Sequence, residues 1–243
     1  MLAAIVPPDV VVAEVFDDRY DYDELFPAEA AAIEGAALKR RREFTAARRC
    51  ARDALARAGL PPEPILREPS GAPRWPAGVT GSITHCEGYR ACAIGSTSKV
   101  AAIGIDAEPH DELPDGVLPI IASEPEQAAL AQLAVNVPLI CWDKILFSAK
   151  ESVYKAWFPT ARQWLGFENA AVTIEPDGAF SARLLVPGLV LDGERHTTFH
   201  GRWLVRHGLI VTALTVPAVA DRAIDGRQAA SSRPSKRAPA FMD

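Results

Sequence analysis

Trp142-Asp143-Lys144-Ile145-Leu146-Phe147-Ser148-Ala149-Lys150-Glu151-Ser152-Val153-Tyr154-Lys155-Ala156-Trp157 reads as one helix carrying two stripes. Trp142, Ile145, Leu146, Ala149, Val153, Ala156 and Trp157 recur at the spacing of a core-facing helix face. Lys144, Ser148, Glu151 and Lys155 form a second, polar stripe. Glu151 and Lys155 lie one turn apart, which suits either a surface salt bridge or an acid and an ammonium presented to one ligand.

Upstream, Gly104-Ile105-Asp106-Ala107-Glu108-Pro109 offers a second acidic feature. Residues 100–107 read as a strand, so Asp106 and Glu108 point to one side with Val100, Ala102 and Gly104, while Ala101, Ile103 and Ile105 line the other. Two same-side carboxylates ending an apolar strand repel, unless a cation lies between them or the strand runs into a solvated acidic turn. Magnesium is the natural cation, because it takes one or two carboxylates and completes its shell with waters and substrate phosphates. Glu151 would supply a third carboxylate.

Further out, helices and short strands follow one another, an α/β (α+β) pattern. Residues 10–16 are β-branched and short, a strand. Pro27 opens a helical stretch to about Ala58, which Gly59 stops with Pro61 and Pro62 beyond. A Pro/Gly-rich connector over 61–78 leads to strands at 81–85, 90–95 and 100–107, expected to pair as a meander. Residues 123–134 form a short helix, and 170–175, 180–186, 197–206 and 209–216 a second set of strands. Each half is thus a helix followed by a small antiparallel sheet, a weak repeat carried by element order alone. The expected division is residues 1–110, residues 111–220 and a tail, 221–243, whose Ser, Pro, Arg and Ala content reads as disordered.

The chain has 243 residues, 49% apolar and 23% charged, enough for a sizeable core in one large domain or two fused small ones. A net charge of −5 argues against general binding to nucleic acid or anionic membranes. Cys50, Cys86, Cys92 and Cys141 have no C-x-x-C spacing, and residues 1–8 lack a basic region and a long apolar run, so a reduced, cytoplasmic protein is expected. No apolar run approaches the roughly 20 residues of a membrane span.

Lys39, Arg40, Arg41, Arg42, Arg48, Arg49 and Arg52 crowd one helix, with Arg67 and Arg74 in the connector. In an acidic chain this patch suits either a ligand with several phosphates, which guanidinium forks bind in pairs, or a solvated helix face. In Gly81-Ser82-Ile83-Thr84-His85-Cys86, His85 ends a strand, as a phosphate or ribose contact or as a structural histidine. Cys86 and His85 are neighbours on a strand and face opposite ways, so they form no thiol dyad. The chain contains no G-x-G-x-x-G, Walker A, G-x-S-x-G or H-E-x-x-H motif.

Taken in order, Thr84-His85, Gly104-Ile105-Asp106-Ala107-Glu108 and Phe147 to Lys155 make the chain resemble the 4′-phosphopantetheinyl transferases of the larger, Sfp-like class. Trp75-Pro76 and Trp164-Leu165-Gly166-Phe167 make it look closest to the enterobactin synthase component D subgroup. The resemblance runs from about Arg40 to Val216 and implies a pseudo-dimeric fold of two related halves with coenzyme A and Mg²⁺ in the cleft between them. It implies Asp106, Glu108 and Glu151 as Mg²⁺ ligands, with the Ala107 carbonyl or a water completing the shell. Thr84 and His85 would contact the coenzyme A phosphates, Arg40, Arg48 and Arg67 the 3′-phosphate and adenine side, and Lys155 the pyrophosphate. Leu165 would line the pantetheine channel, and Ser70 would give a backbone contact. The implied reaction moves phosphopantetheine from coenzyme A to a serine of an apo carrier protein and releases adenosine 3′,5′-bisphosphate, with Asp106, Glu151 and Lys155 in the chemistry. The resemblance also implies a monomer serving acyl, peptidyl or aryl carriers of siderophore, polyketide, nonribosomal peptide or fatty acid synthesis.

Two other classes use the same residues. A phosphate- or nucleic-acid-binding module would employ the basic helix, with the carboxylates merely structural, and would bind in a salt-sensitive way. A Mg²⁺-dependent pyrophosphate or nucleotide hydrolase would employ the three carboxylates and leave the carrier unmodified.

Overall fold

A computed structural model describes residues 1–16 and 24–219. The tail expected from Asp221 onward lies outside the described residues. Strand β1 (Val10–Val15) and a short helix α1 (Pro27–Ala31) precede α2 (Leu38–Arg57). The single helical stretch expected from Pro27 is therefore two helices, because Gly35, at φ +81°, reverses the chain between them. Strands β2 (Val79–Cys86), β3 (Tyr89–Ser96) and β4 (Val100–Pro109) follow, then α3 (Leu118–Ile121), α4 (Glu124–Asn136) and α5 (Trp142–Ala161). After α5 come β5 (Ala170–Ile174), β6 (Ala179–Leu184), β7 (Leu189–Leu191), β8 (Glu194–His196), β9 (Thr198–Arg206) and β10 (Leu209–Pro217). The small β7–β8 hairpin was not expected from the sequence.

The expected meander of β2, β3 and β4 does not form. β3 is the centre of a three-stranded antiparallel sheet, with β2 on one edge through a tight turn and β1 on the other. Both its edges are taken, so β4 pairs instead with β10, Asp106 opposite Thr212, in a five-stranded sheet of order β4-β10-β9-β6-β5. The ladder shifts register between Val216 and Pro217, opposite the start of β4. This shift turns Val100 to the opposite face from Ala102 and corrects the alternation expected there.

Four layers result. Small residues of α2, namely Cys50, Ala51 and Ala54, bring that helix close to Ala13, Cys92 and Ile94 of the three-stranded sheet. The other face of that sheet, Val10, Val12, Ala91 and Ala93, packs on Ile103, Ile105, Val211 and Ala213 of the five-stranded one. On the far side lies α5, whose stripe from Trp142 to Trp157 is buried as its periodicity requires. Each buried Leu, Ile or Val of that stripe contributes about 1.5–3 kcal/mol. Gly104 permits the approach, since a Cβ there would lie 1.9 Å from the Ser152 carbonyl oxygen. The fold is thus mixed, a helix on an antiparallel sheet in each half.

Candidate active site

The site lies where the edge of β2 meets β4 beneath α5. Strand alternation turns Ile83 to the α2 side and leaves Ser82 and Thr84 facing β4. There the Ser82 hydroxyl accepts from the Ile105 N–H at 3.2 Å, joining two strands that share no ladder. One step along, Thr84 Oγ1 donates to Asp106 Oδ1 at 3.2 Å. Lys155 Nζ reaches the same oxygen at 2.7 Å and Thr84 Oγ1 at 3.3 Å. Lys155 therefore pairs with Asp106 across the seam, and no hydrogen bond joins it to Glu151 among the described residues.

Asp106 is 4% exposed, and its Oδ2 is buried with no hydrogen-bond partner among the described residues. Burial and the Asp106 charge push the Glu108 carboxyl up to about 7 and raise Glu151 in the same way. Carboxylate oxygens are hard donors of the kind a small divalent cation takes, and one Asp106 oxygen is orphaned. Among the described residues, however, no three His, Cys, Asp or Glu side chains are grouped closely enough to enclose a metal ion. Cys86 is no nucleophile, since burial and the acids at 108 and 106 push its thiol up to about 12.

A cleft runs away from this point in both directions. One cavity is lined by Arg40, Glu43, Arg48, Arg67 and His85, and a second by Arg67, Ser70, Ile83, Glu151, Tyr154 and Lys155. They share the loop 67–73, which is closed by the Arg67–Pro73 bridge and turned at Gly71. Of the expected phosphate contacts, Arg40 and His85 are half exposed at the cavity and both face Glu43. Burial, with Arg90 nearby, lowers the His85 pKa. Arg48 turns inward: its Nε donates to the Ile65 carbonyl at 2.5 Å, its guanidinium covers the Phe44 ring at 4.1 Å, and burial lowers it to about 10. Ser70 is exposed and donates to Glu68 at 3.4 Å. Glu68 in turn accepts two hydrogen bonds from Arg162, the left-handed residue that ends α5, and so straps the loop to that helix. Leu165 is 7% exposed and lines a third cavity with Glu151, Tyr154 and Trp164.

Three side chains escaped the sequence reading. Lys150, 4% exposed, donates to the carbonyls of Ile121 and Phe167 and to Glu126 at 2.7–3.0 Å, fixing the turn beside Leu165. Its position between Leu146 and Val153 on the buried side was the available signal. Tyr154 borders two of the cavities, and its ring packs on Trp164 at 4.9 Å. Glu29, fully buried in α1, accepts from Arg52 at 3.0 Å and from the Ile65 N–H at 2.9 Å, and nothing local distinguished it from a surface acid.

Comparison with known proteins matches this architecture part by part. The profile of the 4′-phosphopantetheinyl transferase N-terminal domain covers residues 28–95, and that of the 4′-phosphopantetheinyl transferase superfamily residues 102–212. The 4′-phosphopantetheinyl transferase Svp of Streptomyces mobaraensis is 48% identical over 95% of each chain. PptT, a 4′-phosphopantetheinyl transferase of Mycobacterium tuberculosis, is 45% identical over 89% of this chain and 96% of its own. Enterobactin synthase component D of Salmonella typhi also matches, at 30% identity over 81% of this chain and 80% of its own. Among the described residues no helix is long and apolar enough to cross a membrane. The Asp106–Lys155 seam therefore lies in a chain that belongs to the 4′-phosphopantetheinyl transferase superfamily, an enzyme that transfers phosphopantetheine from coenzyme A to carrier proteins.

Proposed function

We propose that coenzyme A lies along the cleft, its phosphates toward Arg40, Arg48, Arg67, Ser70, Thr84 and His85 and its pantetheine arm toward Leu165. In this reading Asp106, Glu108 and Glu151 hold Mg²⁺, with the Ala107 carbonyl or a water beside them. The observation that carries it is the buried Asp106 carboxylate, with one oxygen bound to Thr84 and to Lys155, a residue that lines a cavity with Arg67 and Glu151, and the other oxygen orphaned. Bound there, Mg²⁺ supplies the positive charge that offsets crowding at the diphosphate.

The chain's own residues then divide the work. Arg40 and Arg67 anchor the nucleotide end, which turns an encounter into a positioned reaction. Glu151, whose burial beside Asp106 raises its proton affinity, takes the hydroxyl proton as the carrier serine oxygen bonds to the β-phosphorus. The bond from that phosphorus to the bridging oxygen breaks, and adenosine 3′,5′-bisphosphate leaves. Lys155 balances the charge gathering on the departing phosphate. Residues 1–110 supply the coenzyme A phosphate side and residues 111–220 the helix, while β4 pairs across into the second sheet. The carrier approaches past Trp164, which is 75% exposed beside the cavity that holds Glu151 and Leu165. The enzyme works as a cytoplasmic monomer.

The test is to incubate the protein with coenzyme A and an apo carrier, with Mg²⁺ or with EDTA, and weigh the carrier. A carrier that gains phosphopantetheine only with Mg²⁺ supports the reading. Free phosphopantetheine with unmodified carrier would point to hydrolysis, and full transfer in EDTA would remove the metal ligands.

A further inference from the structure

Thr212 sits in the middle of β10, on the face that meets α5, between the buried apolar residues Ile210 and Leu214. It is fully buried, as are Ser148 and Ser152, which bracket Glu151 on the helix. Thr212 Oγ1 donates to the Ser148 carbonyl at 2.9 Å and lies 2.6 Å from Ser152 Oγ and 3.0 Å from Ser148 Oγ. Ser152 Oγ also donates to the Thr212 carbonyl at 3.3 Å, so the three hydroxyls form one closed cluster. An apolar seam of Ile210 and Leu214 against Ile145, Ala149 and Val153 has no strong preference for one height of the helix. A buried hydroxyl cluster has one, because a slide of a single residue leaves its members without partners.

Across the β4–β10 ladder, the residue opposite Thr212 is Asp106. The strand that holds the helix at its height thus stands beside the strand that carries the acid. We infer that Thr212 is a positioning residue for the transfer reaction: its hydroxyl seats α5 where Glu151 and Lys155 meet Asp106. The inference rests on the roles proposed above for those three residues.

Thr212→Val keeps the side-chain shape and removes the hydroxyl, Thr212→Ser keeps the hydroxyl, and Ile210→Val trims the same face without touching the cluster. Each is assayed for melting temperature, kcat, KM for coenzyme A, calorimetric affinity for adenosine 3′,5′-bisphosphate, and Mn²⁺ affinity by electron paramagnetic resonance. In Thr212→Val, kcat falls about tenfold or more and Mn²⁺ binds several-fold more weakly, while bisphosphate affinity stays within about twofold. Thr212→Ser returns both quantities, and Ile210→Val changes neither while folded. The inference is overturned if Thr212→Val keeps kcat within about twofold, or if all its activities fall together with the folded fraction. If Thr212→Val does not fold, Ser152→Ala replaces it under the same two criteria. A wild-type protein that transfers without metal would sink the functional reading instead, so the two failures are distinguishable.

Discussion

Helices α2 and α5 are the same length, 20 residues, and each lies on its own sheet, yet they treat charge in opposite ways. On α2, Arg52 is answered by the buried Glu29, and Arg49 by Glu24 and Asp53 at 2.7 and 3.0 Å. Arg48 completes the group against the Ile65 carbonyl and the Phe44 ring. On α5 the acid stays unmatched: Glu151 shares its surroundings with Asp106 and Glu108, and the nearby Lys155 is committed to Asp106. Removing one partner of a charge pair balanced inside the fold destabilises it, whereas charge left without a partner is available to a ligand. Mutating the two helices should therefore give opposite signatures.

The largest effect is expected at Glu151. Glu151→Gln should lower kcat/KM by about 10²–10⁴-fold with the melting temperature unchanged or raised, since a repelled carboxylate is lost. Activity within tenfold of wild type in a steady-state assay would erase the contrast. Glu29→Ala should show the reverse, losing about 3–5 kcal/mol in denaturant titration because Arg52 and Arg48 are left with an unmatched buried charge. Its kcat per folded molecule should stay close to wild type. Arg40→Ala, at a half-exposed residue that lines the cavity with Glu43, should raise KM for coenzyme A about five- to tenfold and spare kcat. The smallest effect concerns pH. Glu108 binds its proton more tightly when folded, up to about 7, than when unfolded, so from about pH 4.5 to 7 the folded state carries more protons and stability falls as pH rises. Differential scanning fluorimetry should record that fall in EDTA, a smaller one with millimolar Mg²⁺, and none of this component in Glu108→Gln.

Much of α5 was legible because its apolar and polar residues recur at helical spacing, and Asp106 and Glu108 were legible because strand alternation puts them on one side. What the sequence concealed is set by distant partners. That β4 leaves its neighbours depends on β1 arriving from the N-terminus to take the last edge of β3. That Lys155 pairs with Asp106 and not with Glu151, its neighbour one turn away, depends on α5 packing across β4, a contact between segments about fifty residues apart. Lys150 and Thr212 look like surface residues in composition; helical spacing alone hints that Lys150 is interior, and its partners on α3 and α4, like those of Thr212 on α5, come from distant segments.

The strap between Glu68 and Arg162 gives the cleft a kinetic property. Both partners lie at the surface, so added salt screens their attraction over about 8–10 Å and lets the loop 67–73 part from α5 more often. In the proposed reading the same salt weakens the hold of Arg40 on a coenzyme A phosphate. Ionic strength therefore acts twice on residence time, and coenzyme A should leave this enzyme faster in salt than the loss of phosphate contacts alone accounts for.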